Sequence, residues 1–214
     1  MPQHASSGRA GGRPRAVERR DISQQIRDAA QTCLRERAHS EVTIRDIARS
    51  AGVSQEMIGY YFGNKDGLLL ELIKDLSKDT VCALTALEEK LDGNLERPTD
   101  CLVQTLSSVF FRNKYVSNIL ISEFLKSNSS MRTSYFGNRT QSKTTLAVES
   151  IVARLQAQGI YRNDMDCALI ARSICALVLA PLTLPVQSPG AEPEWDETWL
   201  EHVTATLDAA YLRH

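Results

Sequence analysis

The stretch Thr43–Lys65, TIRDIARSAGVSQEMIGYYFGNK, constrains the fold of this chain more than any other segment. Thr43 with Asp46 three residues later is a capping box, which opens a short helix. Ile47 and Ala51 lie four apart on one face of that helix, and Ala48 is small enough to admit a close neighbour. Gly52 stands where a chain turns through positive φ at a helix C-terminus. Ser54 is then placed to cap a second helix, from Gln55 to about Tyr61, with Ile58 facing back toward Ile47, Ala51 and Val53. Two short helices joined by a glycine turn form the helix-turn-helix unit, which lays its second helix in a major groove. The small, turn and apolar positions all fall in one register.

An amphipathic stretch precedes this unit (Ile22, Ile26, Ala29, Ala30, Cys33, Leu34), and the block Tyr60-Tyr61-Phe62-Gly63-Asn64-Lys65-Asp66-Gly67-Leu68 closes it. Through the TIRDIARSAGVS run, the YYFGNKDGLL run and the helix before them, residues 19–69 resemble the N-terminal DNA-binding domain of the TetR family of bacterial regulators. The resemblance implies an all-helical homodimeric repressor whose larger C-terminal domain holds a small-molecule pocket. Two positions depart from it. Many members carry a Gly-aromatic pair where this chain has Ala38-His39, and many have Tyr where Gly59 stands in the second helix. A glycine there costs about 1 kcal/mol of helix propensity relative to alanine, and operator preference does not transfer from relatives.

The formal charge of −1 conceals an asymmetry: residues 1–65 hold eleven Lys and Arg against seven Asp and Glu, a balance of +4. A basic N-terminal third beside an acidic remainder suits one DNA-facing domain and one that does not touch DNA. At 214 residues, 43% of them apolar, the chain is long enough to bury a proper core. The five cysteines (Cys33, Cys82, Cys101, Cys167, Cys175) form no CxxC pair and sit in helical, mostly apolar stretches. They read as reduced core residues of a cytosolic protein. The N-terminus lacks the apolar core of a signal peptide. The longest apolar run, Ile174–Val186, is interrupted by Pro181 and Pro185 and is too short to span a bilayer.

Three regions are expected. Residues 1–15, rich in Gly, Pro and Ser, form a disordered basic arm, residues 16–64 the helix-turn-helix domain, and residues 65–214 a helical ligand-binding and dimerisation domain. A long helix runs from Asn64 to about Leu91, and Asp92-Gly93-Asn94 ends it. Helices follow over Thr99–Arg112 and about Val116–Ser127. A longer one begins at Ser129 or Ser130 and reaches Gln158, closed by Gly159. The next starts at Asp164 and is kinked or ended by Pro181. A loop with Pro185, Pro189 and Pro193 leads to a last helix over about Glu194–Leu212. With no alternating strand pattern and no Gly-rich phosphate loop, the fold class is all-α.

Base reading falls to Gln55, Glu56 and, through its backbone, Gly59; Gln pairs with adenine and Glu accepts from cytosine. Glu56 also has a reading without DNA, as an acid near a helix N-terminus. Thr43, Arg45, Ser54, Tyr60, Tyr61 and Lys65 match family positions that commonly contact phosphate, although the register turns Tyr61 partly toward the core. Arg13 and Arg15 form a minor-groove arm or a solvated extension. In the C-terminal domain Phe110, Phe111, Phe124, Tyr135 and Phe136 are pocket or plain core residues, and Arg139 and Lys143 meet an anionic ligand or solvent. The dimer surface expected from the family is the last two helices, with Ala168, Ala171 and Ala176 permitting close approach and Trp195, Trp199, Val203 and Leu207 as anchors. One short reading helix covers a half-site, so a two-fold dimer on a palindromic operator is expected.

The expected partners are therefore double-stranded DNA, a second copy of the chain and an unidentified small molecule, with no membrane, cofactor or metal. The expected location is the cytoplasm, on the nucleoid. The competing reading is an architectural DNA-binding protein without a ligand switch. An enzyme is not expected, because His4, His39, His202 and His214 are scattered without metal-ligand spacing and no nucleophile–base motif stands out.

Overall fold

A computed structural model of the chain describes residues 16–91, 95–126, 128–137, 142–183 and 197–213. Ten helices lie among them: α1 (Ala16–Glu36), α2 (Ile44–Ala51), α3 (Gln55–Phe62), α4 (Lys65–Lys90), α5 (Pro98–Arg112), α6 (Lys114–Leu125), α7 (Ser130–Phe136), α8 (Lys143–Ala157), α9 (Cys167–Thr183) and α10 (Glu197–Tyr211). The chain divides into two compact units, residues 1–63 and residues 64–214.

In the first unit, α1 packs against α2, and α2 against α3. The core is built from Ile26, Ala29, Ala30, Cys33 and Leu34 of α1, Val42, then Ile47, Ala48 and Ala51 of α2 and Ile58 of α3. These are the apolar positions that recur at helical spacing in the sequence. The entry to α2 is fixed by a complete capping box: the Asp46 backbone N–H donates to the Thr43 hydroxyl at 3.2 Å, and the Thr43 N–H donates back to Asp46 Oδ2 at 3.0 Å. Its exit is fixed by Gly52 at φ +64°. The Val53 N–H then donates to the Ala48 carbonyl at 3.0 Å, the turn by which the sequence steps from one helix to the next. Gln25 of α1 donates to the Ala51 carbonyl at 2.7 Å, satisfying a group that the end of α2 leaves open.

The second unit is a helical bundle around α4, which packs against α5, α6, α7 and α8, while α9 packs against α5 and α8, and α10 against α5 and α9. Asn64 caps α4 by accepting the Gly67 N–H at 2.8 Å. Pro98 opens α5, where its missing N–H and preset φ fit the first turn. The single helix expected from Ser129 or Ser130 to Gln158 is two. Gly137, at φ +55°, ends α7, and a second cap starts α8, in which the Thr145 N–H donates to Ser142 Oγ at 3.0 Å. Cysteine burial is also less uniform than expected. Cys33 is buried, Cys101, Cys167 and Cys175 are half-buried, and Cys82 is exposed on α4; all five are free thiols. No helix of the described residues is long and apolar enough to cross a membrane.

Candidate nucleic-acid interface and internal cavity

Helix α3 is short, so its two faces divide cleanly. Ile58 is fully buried and anchors the inner face, whereas Gln55, Glu56, Gly59 and Tyr60 are exposed and lie in one strip along the outer face. Tyr60 is 58% exposed and stacks edge-on against Tyr61, ring centroids 5.1 Å apart. The Tyr61 hydroxyl is buried without a hydrogen-bond partner, so the expected phosphate contact at this position is corrected. At helical spacing the residue after an exposed tyrosine turns about 100° inward, and Tyr61 serves the packed face.

Thr43 and Arg45 are exposed at the start of α2. Arg49, one turn beyond Arg45, is exposed on the same helix and belongs with it, although it was not among the residues expected from sequence. Its signal was there, since two arginines four apart share a face. Ser54 sits at the N-cap of α3 with extended backbone, but its hydroxyl caps no backbone N–H. It bonds instead to the Glu56 carboxylate, and that contact holds the Glu56 carboxyl below its ordinary range. Glu56 is thus a fixed anion with an internal partner. Asp46 is likewise held below the usual range, by the Thr43 hydroxyl and N–H and then by Arg37, which reaches it from beyond α1 at 3.4 Å. Lys65 is half-buried as the first residue of α4 in the second unit. Arg13 and Arg15 lie outside the described residues.

The second unit holds a half-open cavity of about 340 Å³. Among the described residues its apolar lining comes from Ile73 and Leu76 of α4, Phe110 of α5, Leu120, Ile121 and the exposed Leu125 of α6, Tyr135 and Phe136 of α7 and Leu179 of α9. Three of the expected pocket residues, Phe110, Tyr135 and Phe136, therefore line it. Two do not. Phe111 is 50% exposed, one helical step away from Phe110, and Lys143 is exposed beside Ser142 and Thr144, which do line the cavity. The Phe124 side chain and Arg139 lie outside the described residues. The polar lining, which aromatic spacing could not reveal, consists of Ser77, Thr80, Ser142, Thr144, Thr145, Arg172 and Cys175.

On the last two helices the expected dimer residues separate. Ala176 is exposed and Ala168 and Trp199 are half-buried. Ala171, Val203 and Leu207 are buried to 1% or less within this unit's own core, so they present nothing to a second copy, and those assignments are corrected. Leu169, 57% exposed on α9, is an apolar side chain that the helical spacing did not single out. Trp195 lies outside the described residues. Among the described residues no group of three or more His, Cys, Asp or Glu is placed to hold a metal ion.

The first unit has the helix-turn-helix arrangement, and the second is a helical domain that holds a pocket. Residues 26–72 match the family model of bacterial regulatory proteins of the tetR family. Over that segment the chain is similar to that family. It is 46% identical over 61 residues to the HTH-type transcriptional regulator BetI of Agrobacterium fabrum, a match that spans 27% of this chain and only 30% of BetI. The fold is shared much more widely. SmeT, the repressor of the Stenotrophomonas maltophilia multidrug efflux pump SmeDEF, is similar with a TM-score of 0.64 at 20% identity, covering 89% of this chain and 90% of SmeT. FadR of Thermus thermophilus, a transcriptional repressor solved with lauroyl-CoA, is similar with a TM-score of 0.63 at 21% identity, covering 90% of this chain and 96% of FadR.

Proposed function

We propose that this chain is a ligand-responsive transcriptional repressor, a homodimer that acts in the cytoplasm on a palindromic operator and leaves it when a small molecule fills the cavity of the second unit. The observation that carries the reading is α3: a helix anchored by fully buried Ile58 that presents Gln55, Glu56, Gly59 and Tyr60 outward together. In this reading Gln55 pairs with a base edge and the Gly59 backbone closes on the groove. Glu56, already bonded to Ser54, tunes base choice by accepting from cytosine. Thr43, Arg45, Ser54 and Tyr60 hold phosphates, as does Lys65 from the start of α4, and Arg13 and Arg15 follow the minor groove. The dimer forms through the exposed parts of α9 and α10, with Ala168, Leu169, Ala176 and Trp199.

The cavity supports a ligand switch over an architectural role, because a protein with no small molecule to admit would fill that space with side chains. SmeT and FadR, with the same fold, are both repressors, and FadR was solved with a bound acyl ligand. Residues of α4 line the cavity, and the same continuous helix begins at Lys65, so a shift at the cavity is carried along a rigid element to its first turn. A ligand releases DNA only insofar as it prefers the state that does not bind DNA.

The test is fluorescence-anisotropy titration of the purified protein against its own upstream intergenic DNA and a scrambled duplex, at physiological salt. A preference of roughly 10³-fold or more is expected of a specific regulator. Equal, weak affinity for that DNA and for sites recovered by genome-wide selection would favour the architectural reading.

A further inference from the structure

A helix that faces phosphates gains from cations, yet the first turn of α2 carries an anion. Arg45 and Arg49 are exposed on this helix, and Asp46 stands between them in the chain. Folding uses that carboxylate. Asp46 Oδ2 accepts the Thr43 backbone N–H at 3.0 Å and the Thr43 hydroxyl at 2.6 Å, bonds that belong to the capping box at the start of α2. The same bonds hold its carboxyl below the ordinary range, so Asp46 is ionised at neutral pH. A negative charge also suits the positive end of a helix. What starts α2 as a helix therefore works against it as a DNA-facing surface. A phosphate bound by the neighbouring Arg45 comes within reach of the Asp46 charge, whose repulsion extends about 8–10 Å at physiological salt.

Arg37 answers that charge from outside the helix. It lies just past the end of α1, nine residues before Asp46, and its Nη1 donates to Asp46 Oδ2 at 3.4 Å. The contact is longer than a good charge-assisted bond, which runs about 2.7–2.9 Å. Both side chains are partly open to solvent, Arg37 at 40% and Asp46 at 21%. An exposed ion pair of this length adds little to folding, and the capping box already satisfies Asp46 Oδ2. Its charges, however, are felt by whatever approaches α2.

On the reading of α2 as a phosphate-facing helix, we propose that Arg37 serves DNA binding through Asp46, without a phosphate of its own. It cancels the charge of the helix cap, so that Arg45 and Arg49 meet the DNA backbone with no opposing anion beside them.

The test is a double-mutant cycle in the full-length protein, read both as DNA affinity by fluorescence anisotropy and as stability by thermal melting. Two duplexes are used, the protein's own upstream intergenic DNA and a scrambled sequence, because phosphate electrostatics is independent of sequence. Arg37→Gln is expected to weaken binding to both by about tenfold at roughly 50 mM salt and by clearly less at roughly 200 mM, the scale of one exposed charge per protomer of a dimer. Arg37→Lys keeps the charge and should bind like the unaltered protein. Asp46→Asn should bind at least as tightly as the unaltered protein while melting lower. The decisive variant combines Arg37→Gln with Asp46→Asn. Compared with Arg37→Gln alone, its affinity should return to within about twofold of the unaltered protein while its melting temperature falls. A merely structural role predicts that the second lesion lowers both.

No loss in Arg37→Gln, an equal loss in Arg37→Lys, a loss that does not shrink with salt, or a double variant as weak as Arg37→Gln would each overturn the proposal. The last result would make Arg37 a phosphate ligand in its own right. The operator reading fails separately. Equal affinity for the two duplexes with the restoration intact keeps the role of Arg37 and sinks sequence-specific regulation, whereas a strong preference for the upstream DNA without restoration does the reverse.

Discussion

Gly52 and Gly59 stand seven residues apart in the helix-turn-helix, and a Cβ added to either meets nothing within 4 Å. Space therefore does not decide what alanine does at these positions; the backbone does. Gly52 holds φ +64°, which an L side chain rarely adopts, so Gly52→Ala is expected to destabilise the first unit by about 1 kcal/mol or more. Gly59 is helical and exposed, so Gly59→Ala is expected to stabilise it by about 1 kcal/mol. The two variants should part again on DNA. If the Gly59 backbone closes on the groove, the added methyl lowers operator affinity while urea denaturation shows a more stable protein. Undiminished operator binding by Gly59→Ala would remove that position from the interface, whatever its stability.

At the scale of elements, the end of α10 is held by groups that can be titrated. Tyr161 is fully buried, its hydroxyl bonded to Thr99 of α5 and its ring 6.2 Å from that of Tyr211 in α10. The Arg162 N–H donates to the Tyr211 carbonyl at 2.8 Å and the Arg213 N–H to the Ile160 carbonyl at 3.0 Å, closing the chain onto this turn. Burial raises the Tyr161 phenol to about 12, outweighing the opposing hydrogen bond to Thr99. The folded state thus favours the protonated phenol. That stability is complete below the unfolded value near 10 and is lost as pH rises toward 12, at a rate set by linkage. Melting scans between neutral pH and pH 11.5 should show a fall in stability of roughly 1–2 kcal/mol from this group. Tyr161→Phe should be less stable at neutral pH, for want of the Thr99 bond, and should show a flatter fall. An equal alkaline slope in both proteins would place the titration elsewhere.

What the sequence revealed at this scale followed the range of the forces involved. The capping box at Thr43, the turn at Gly52 and the apolar stripe of α1 are local, so residue spacing alone was enough to find them. The break between α7 and α8 was local too: Gly137 and a new cap at Ser142 mark it, but the helical periodicity on both sides masked the pair. Val203 and Leu207 failed for another reason. A helix's apolar face announces that it is buried, not whether its own chain or a second copy buries it, and here α5 and α9 take that face. The pairing of Arg37 with Asp46 could not have been found from spacing, because it forms only once α1 and α2 have packed.

At the scale of the whole molecule, the charge asymmetry and the proposed two-fold symmetry meet in one measurable quantity. Each phosphate neutralised by an arginine releases counterions, so removing one such arginine–phosphate pair lowers the slope of log K against log salt by about 0.9. Arg45 is exposed on α2 and is proposed to neutralise one phosphate per protomer. A dimer on a palindrome uses it twice. Arg45→Gln is therefore expected to reduce the slope by about two on a full operator and about one on an isolated half-site, with base preference unchanged because the arginine meets only phosphate. Sedimentation of the same complexes should give two protomers on the full site. A reduction of about one on both duplexes would mean that a single protomer reads the DNA and that the exposed faces of α9 and α10 serve something other than pairing. No reduction on either would take Arg45 out of the interface and shift the phosphate role on α2 to Arg49, one turn further on, whose own Gln variant would then have to show the two-to-one ratio.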